Sequence, residues 1–148
     1  MKKVINPPFY NLIIFMNEFK TIVLGATTNP ERYAYRAVNQ LLGNAIEVVP
    51  VGIRKGLTGG ELSIVNGRPM IEQVHTITLY INKTVQEDYY DYIVSLQPKR
   101  VIFNPGTENP ALYGLLKEKS PQTHIEVACT LVMLAAGNYK ENYWETSA

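Results

Sequence analysis

The sequence predicts an α/β fold, a single doubly wound domain built on a mainly parallel five-stranded sheet. Three observations predict it. Five short runs rich in β-branched residues alternate with segments of helical period. The run Ile46 to Val51 is apolar on both faces, as a central parallel strand requires. Little loop is left between the elements after Thr21, so right-handed crossovers must place helices on both faces of the sheet.

The elements follow in order. Thr21 to Leu24 is the first strand, and Gly25 allows the tight turn that leads, past Asn29 and Pro30, into a helix. Ala34, Ala37, Val38, Leu41 and Leu42 form the stripe that packs this helix on a sheet, and Gly43 is expected to end it. Ile46 to Val51 is the second strand. The glycine-rich loop Gly52 to Gly60 follows, with a small edge hairpin expected from Ser63 to Val65 and Arg68 to Met70 around Asn66-Gly67. Val74 to Tyr80 is the third strand. Thr84 and Glu87 have the spacing of a capping box for a helix whose stripe is Val85, Tyr89, Ile93 and Leu96, closed by Pro98. Arg100 to Phe103 is the fourth strand, and Asn109-Pro110 starts a helix running to about Lys119. Ile125 to Ala128 is the fifth strand, before a short helix from Leu131 to Ala136.

With 148 residues, 46% of them hydrophobic, the chain is expected to form one domain with a real core. The reading divides it into an amino-terminal extension (1–19), the domain itself (20–137) and a carboxy-terminal tail (138–148). The start, MKKVINPPFYNLIIFM, mimics a secretory signal, but Pro7 and Pro8 interrupt it and no small-residue cleavage site precedes the first core strand. Leu12 to Met16 is too short to span a bilayer. Two readings of this segment stand: an upstream extension, or an edge strand from Asn11 to Phe15. A net charge of +1 argues against nucleic acid or an anionic membrane as a bulk electrostatic partner, so any anion site must be local. The single cysteine, Cys129, excludes an intramolecular disulfide and fits a reducing cytoplasm. His75 and His124 stand without HxxxH or CxxC spacing, so no dedicated zinc site is expected.

Doubly wound folds bind ligands at the carboxyl edge of the sheet, where strand order reverses, here expected between the loops after the first and fourth strands. Five loops reach that edge: Gly25 to Tyr33, Gly52 to Gly60, Ile81 to Thr84, Asn104 to Asn109, and Ala128 to Thr130. The helix opening after Gly25 presents unpaired N–H groups and a positive dipole end, which favour an anion such as a nucleotide phosphate. Only one glycine of the three in a full dinucleotide fingerprint is present, so the turn alone is equally an ordinary βα turn. Glu47 precedes Val48 to Val51 and so sits at the wrong end of the second strand to accept from a ribose. At the correct end stand Arg54 and Lys55, which suit a phosphorylated ribose and would leave the 2′-hydroxyl of NAD without its acceptor. They favour a 3′-phospho-ADP ligand such as coenzyme A, or NADP, and are also compatible with two solvated loop cations.

The segments Val23-Leu24-Gly25-Ala26-Thr27, Asn29-Pro30-Glu31-Arg32, Val49-Pro50-Val51 and Phe103-Asn104-Pro105-Gly106-Thr107-Glu108-Asn109 resemble the CoA-binding domain family. Its members are Rossmann-like and similar to the amino-terminal domain of the succinyl-CoA synthetase alpha subunit. The likeness runs from about Lys20 to Gly137. It implies a bound coenzyme A whose pyrophosphate lies on Gly25, Ala26, Thr27 and Thr28 with Asn29, Arg32 and Tyr33. It further implies that Arg54 and Lys55, beyond Gly52, approach the 3′-phosphoadenosine end, that Tyr80, Ile81 and Asn82 wall the adenine, and that Asn104, Gly106 and Thr107 face the centre of the ligand. The chain departs from the family in having Ile81-Asn82-Lys83 where a proline-rich loop is more usual.

Chemistry is less legible than binding. The synthetase reaction uses a phosphorylated histidine and a nucleotide-grasping subunit that lie outside this domain, and His75 and His124 are both expected at the amino edge, away from the site. Cys129 follows the fifth strand at the expected start of the last helix, a position that lowers a thiol pKa, although buried inert cysteines are the commoner case. Glu108 serves either as an acid or base or as a complement to the following helix terminus. Three classes are consistent with the sequence: a CoA or nucleotide-binding module without chemistry of its own, a small NADP-dependent enzyme, and an interaction protein that has lost its ligand. A homo-oligomer or a partner subunit is compatible with each, and Tyr143 and Trp144 in the tail offer a docking surface or simply belong to a frayed end.

Overall fold

The computed structural model describes residues 18–145, so the Asn11 to Phe15 strand lies outside the described residues. Five strands form one parallel sheet: β1 (Thr21–Leu24), β2 (Val48–Val51), β5 (Thr76–Leu79), β6 (Arg100–Phe103) and β7 (His124–Val127), in the order β2-β1-β5-β6-β7. Thr21 lies beside Val48 and Thr76, Thr76 beside Arg100, and Arg100 beside His124. β3 (Leu57–Thr58) and β4 (Leu62–Ser63) make a separate antiparallel hairpin. The helices are α1 (Tyr33–Gly43), α2 (Lys83–Gln86), α3 (Tyr90–Leu96), α4 (Pro110–Lys119) and α5 (Thr130–Ala136), with a 3-10 turn, Glu87–Tyr89, joining α2 to α3.

β1, β5 and β6 are buried along their whole length beneath helices on both faces, while β2, expected as a central strand, stands at one edge of the sheet. On one face Val23, Val48 and Ile102 pack against Ala34, Val38 and Leu41 of α1 and Met133 and Leu134 of α5. On the other, Ile22, Leu24, Val51, Ile77, Leu79, Val101 and Phe103 pack against Tyr92, Ile93 and Leu96 of α3 and Leu112 and Leu116 of α4. The third strand of the sequence reading, β5, lies directly beside β1. The reversal of strand order therefore falls between the first and third strands, not between the first and fourth, because the fourth pairs with β5 instead.

Three local expectations are corrected. Gly43 is the last residue of α1 and not its terminator; the left-handed position after the helix is Ala45, at φ 58°. Ala45 N–H donates to Leu42 O and Ile46 N–H to Leu41 O, the paired bonds of a Schellman cap. A Cβ is disfavoured there, so Ala45→Gly is expected to raise stability by about 0.5–1 kcal/mol in urea unfolding.

The hairpin turns at Gly59 and Gly60, one turn earlier than expected from Asn66-Gly67. Gly59 is at φ 55° and an added Cβ would stand 2.1 Å from Val38 Cγ1, so only glycine lets the turn close onto α1. Val65 is used differently. Its N–H donates to Pro50 O and its carbonyl accepts from Gly52 N–H, in a single parallel bridge on the outer edge of β2.

The capping box also gives way. Asn82, not Thr84, caps α2, its Oδ1 accepting from Val85 N–H at 3.0 Å. The helix starts two residues earlier and is interrupted by the 3-10 turn, and the stripe shifts: Gln86, Tyr92, Ile93 and Leu96 are buried, while Val85 is exposed.

After α5 the chain folds back on the amino edge of the sheet, where the sequence left docking and fraying both open. Tyr139 is buried and its hydroxyl lies 2.6 Å from Thr21 Oγ1. Arg100, fully buried, donates from Nη1 to Tyr139 O and lies over the Tyr139 ring at 4.3 Å. Trp144 stacks on His124 at 4.3 Å.

Candidate functional site

The carboxyl edge holds a cleft of about 680 Å³ formed by the loops after β1, β2, β5 and β6. Its base exists because three loops approach more closely than side chains normally permit. Gly25, at φ 102°, has Tyr80 O at 2.9 Å from where a Cβ would be, and Gly52 has Ala26 O at 2.5 Å. Gly25 N–H and Ala26 N–H both donate to Val51 O at 2.9 Å, which fastens the first loop to the end of β2.

The first loop organises the start of α1. Thr27 Oγ1 accepts from Asn29 N–H and Asn29 Oδ1 from Glu31 N–H, two local bonds that bring the chain round into the helix. Arg32 is the N-cap residue of α1, supplies no side-chain cap, and no acidic residue stands in the first turn. The position is unusual, because a cation at the positive end of a helix is electrostatically unfavourable and the first N–H groups lack a cap. Tyr33 and Ala34 of this turn line the cleft.

The far wall is held by a polar network. Gln86 Nε2 donates to Ile81 O and Thr107 O, and Asn109 Nδ2 donates to Gln86 Oε1 and to the Tyr90 hydroxyl. The loops after β5 and β6 are thus clamped to one another. Tyr80 also lines the cleft, and burial pushes its phenol up to about 12.

The structure brings together Gly25, Ala26, Thr27, Thr28, Asn29, Arg32, Tyr33, Gly52, Arg54, Tyr80, Ile81, Asn82, Gly106 and Thr107 around this cleft. Three other residues singled out in the sequence lie elsewhere. Lys55 is exposed beyond the cleft wall. Asn104 is buried and spent on the scaffold, Nδ2 donating to Thr78 Oγ1 and Leu79 O while Oδ1 accepts from Thr130 N–H. Cys129 is half-buried at the N-cap of α5 and outside the cleft. The cleft adds Ala34, Ile53, Val85, Tyr89 and Pro105. Exposed Ile53 next to Arg54 is a sequence signal that was open to use, whereas Val85 and Tyr89 carry helical spacing and so read as core. His75 and His124 stand at the amino edge, at the opposite end of the strands.

A parallel doubly wound sheet with its cleft at the reversal of strand order defines a Rossmann-like α/β domain. The CoA binding domain model matches residues 20–135, and the chain belongs to that family. No curated protein matches the sequence. A crystal structure of an uncharacterized protein is similar at 51% identity, covering 82% of this chain and 98% of its own, with a TM-score of 0.75. A Thermus thermophilus protein at 18% identity (92% and 100% covered, TM-score 0.69) and a hypothetical protein from Pyrococcus horikoshii OT3 at 17% (92% and 98%, TM-score 0.67) share the fold. Among the described residues no helix is long and apolar enough to cross a membrane.

Proposed function

We propose that the chain binds coenzyme A or an acyl-CoA through its 3′-phospho-ADP moiety and has no catalytic machinery of its own. The observation that carries this reading is the uncapped amino terminus of α1, with Arg32 where a neutral or acidic cap would normally stand and Tyr33 and Ala34 opening on the cleft. A pyrophosphate there satisfies the free N–H groups and offsets the misplaced cation at once. Arg54, at the end of β2, then meets the ribose phosphate. Family membership supports the ligand class, and the site residues are carried by the cleft geometry.

Arg54 also fits the 2′-phosphate of NADP, so a small NADP-dependent oxidoreductase is the second reading; loss of the ligand in an interaction module is the third. A thermal-shift panel separates them, because a ligand that binds only the folded state raises the melting temperature. Coenzyme A and acetyl-CoA are expected to stabilise more than dephospho-CoA, NADPH or NADH. A preference for NADPH overturns the first reading, and a flat panel overturns both ligand readings. Arg54→Ala is expected to weaken coenzyme A about tenfold by calorimetry and dephospho-CoA by less than half that factor, the loss of one charge-assisted phosphate contact.

A further inference from the structure

The cleft lining is of two kinds. The Gly25 to Arg32 loop offers polar turn and backbone, whereas Ile53, Val85 and Tyr89 offer apolar and aromatic surface. Ile53 and Val85 are 85% and 41% exposed, and large apolar groups left open at a cleft mark the contact of an apolar or aromatic part of a ligand.

Tyr89 is held as a rigid plate. The Arg68 guanidinium covers its ring at 4.7 Å, and Tyr92 meets it edge-on at 6.4 Å. Arg68 is fixed in turn, its Nη2 donating to Asp88 O at 2.6 Å. The Tyr92 hydroxyl donates to Pro69 O at 2.7 Å, so the segment carrying Arg68 is bonded once to the turn carrying Tyr89 and once to α3, which follows it. Asn66 Nδ2 donates to Gly52 O and Arg54 O, which makes Arg54 and Arg68 parts of one loop unit. The group expected to meet a ribose phosphate and the brace of the aromatic plate therefore move together.

We propose that Tyr89 is the stacking platform for the purine base of the ligand and that Arg68 is the positioning residue that braces it. The assignment rests on the coenzyme A reading and adds to it the residue that distinguishes a nucleotide-bearing ligand from its pantetheine arm. An aromatic ring that lines the cleft, with a cation over one face and the core against it, is ordered before binding, so less freedom is lost on contact. Tyr33 is the competing aromatic. It is 66% exposed, stands in the first turn of α1 at the anion end, and has Arg36 only at 5.7 Å.

The test is calorimetry with coenzyme A and with 4′-phosphopantetheine, which lacks the base and its ribose. Tyr89→Leu is expected to weaken coenzyme A about tenfold and 4′-phosphopantetheine less than twofold, while Tyr89→Phe leaves both unchanged. Arg68→Met is expected to weaken coenzyme A and dephospho-CoA by the same factor, about threefold, as a brace does and a reader of the 3′-phosphate does not. Equal losses for both probes in Tyr89→Leu, or a base-dependent loss in Tyr33→Leu instead, overturn the platform. Normal coenzyme A binding by the unmodified chain with an indifferent Tyr89→Leu overturns the platform alone; absence of coenzyme A binding by the unmodified chain overturns the underlying reading with it.

Discussion

Gly52→Ala lowers the stability of the folded chain by about 2–3 kcal/mol in urea unfolding, the expected cost of forcing a methyl into a full space. The new Cβ would stand 2.5 Å from Ala26 O and 3.2 Å from Ile64 Cγ2. Ala26 O belongs to a backbone fastened by the bonds of Gly25 N–H and Ala26 N–H to Val51 O, so it cannot turn aside as a side chain would. Relief requires the loop after β1 to part from the loop after β2. Those are the two loops that carry the α1 terminus and Arg54, and their separation is expected to weaken coenzyme A at least tenfold, since a displacement of about 1 Å suffices for losses of that order. Gly43→Ala is the control. Nothing lies within 4 Å of its added Cβ, and in a helix alanine is favoured over glycine, so that variant is unchanged or more stable by up to about 1 kcal/mol. If Gly52→Ala melts and binds like the unmodified chain, the close approach of the two loops does not shape the site.

Acid destabilises the chain through His75, by roughly 3 kcal/mol between pH 6.5 and 4. Burial pushes this imidazole from 6.5 down to about 4; the positive charges of Arg100 and Lys99 add to the effect, and the hydrogen bond with Asn142 opposes it. The bonding at Nδ1 gives the same direction as burial. Arg100 Nε donates to Thr76 Oγ1, which leaves the Thr76 hydroxyl proton for His75 Nδ1, while Nε2–H faces Asn142 Oδ1. A proton on Nδ1 would confront a donor and bring a second cation beside a buried guanidinium. In that pH window the unfolded chain binds a proton at this position and the folded chain does not, so stability falls as pH falls and the effect levels off below about 4. The check is the urea midpoint across the window in the unmodified chain and in His75→Gln, whose slope is expected to be smaller by this amount. Equal slopes would mean that His75 titrates alike in both states.

Arg100 shows how the two ends of the sheet divide their work. Its guanidinium is wholly buried with no carboxylate within 4 Å among the described residues, and its Nη2 makes no hydrogen bond. Burying an arginine this way is costly, and it is offset by Thr76, the Tyr139 carbonyl and the aromatic faces of Tyr139 and Trp144. The amino edge is thereby closed by the returning tail, while the carboxyl edge is left open as a cleft.

Much of this was legible in the chain. The five strands were legible to within about two residues at each end as short runs with β-branched residues between turn signals, and Asn109-Pro110 marks a helix start because its capping chemistry is local. The turn at Gly25 and the basic end of β2 point to an anion from residue type and position alone. The sequence by itself therefore determined the fold class and the edge of the sheet at which the cleft opens, since each depends on neighbours a few residues apart. Tertiary structure alone decided the rest. The strand order depends on which crossover β5 takes beside β1, and the use of Asn104 in the scaffold depends on Thr78 and Thr130, which are 26 residues away on either side. Val85 and Tyr89 have the periodicity of core residues, but the 3-10 turn Glu87–Tyr89 interrupts the helix between them and both line the cleft, with Arg68 coming from another loop to cover the Tyr89 ring. Local spacing specifies which face of an element is apolar; what that face meets is set by long-range packing, which no local pattern encodes.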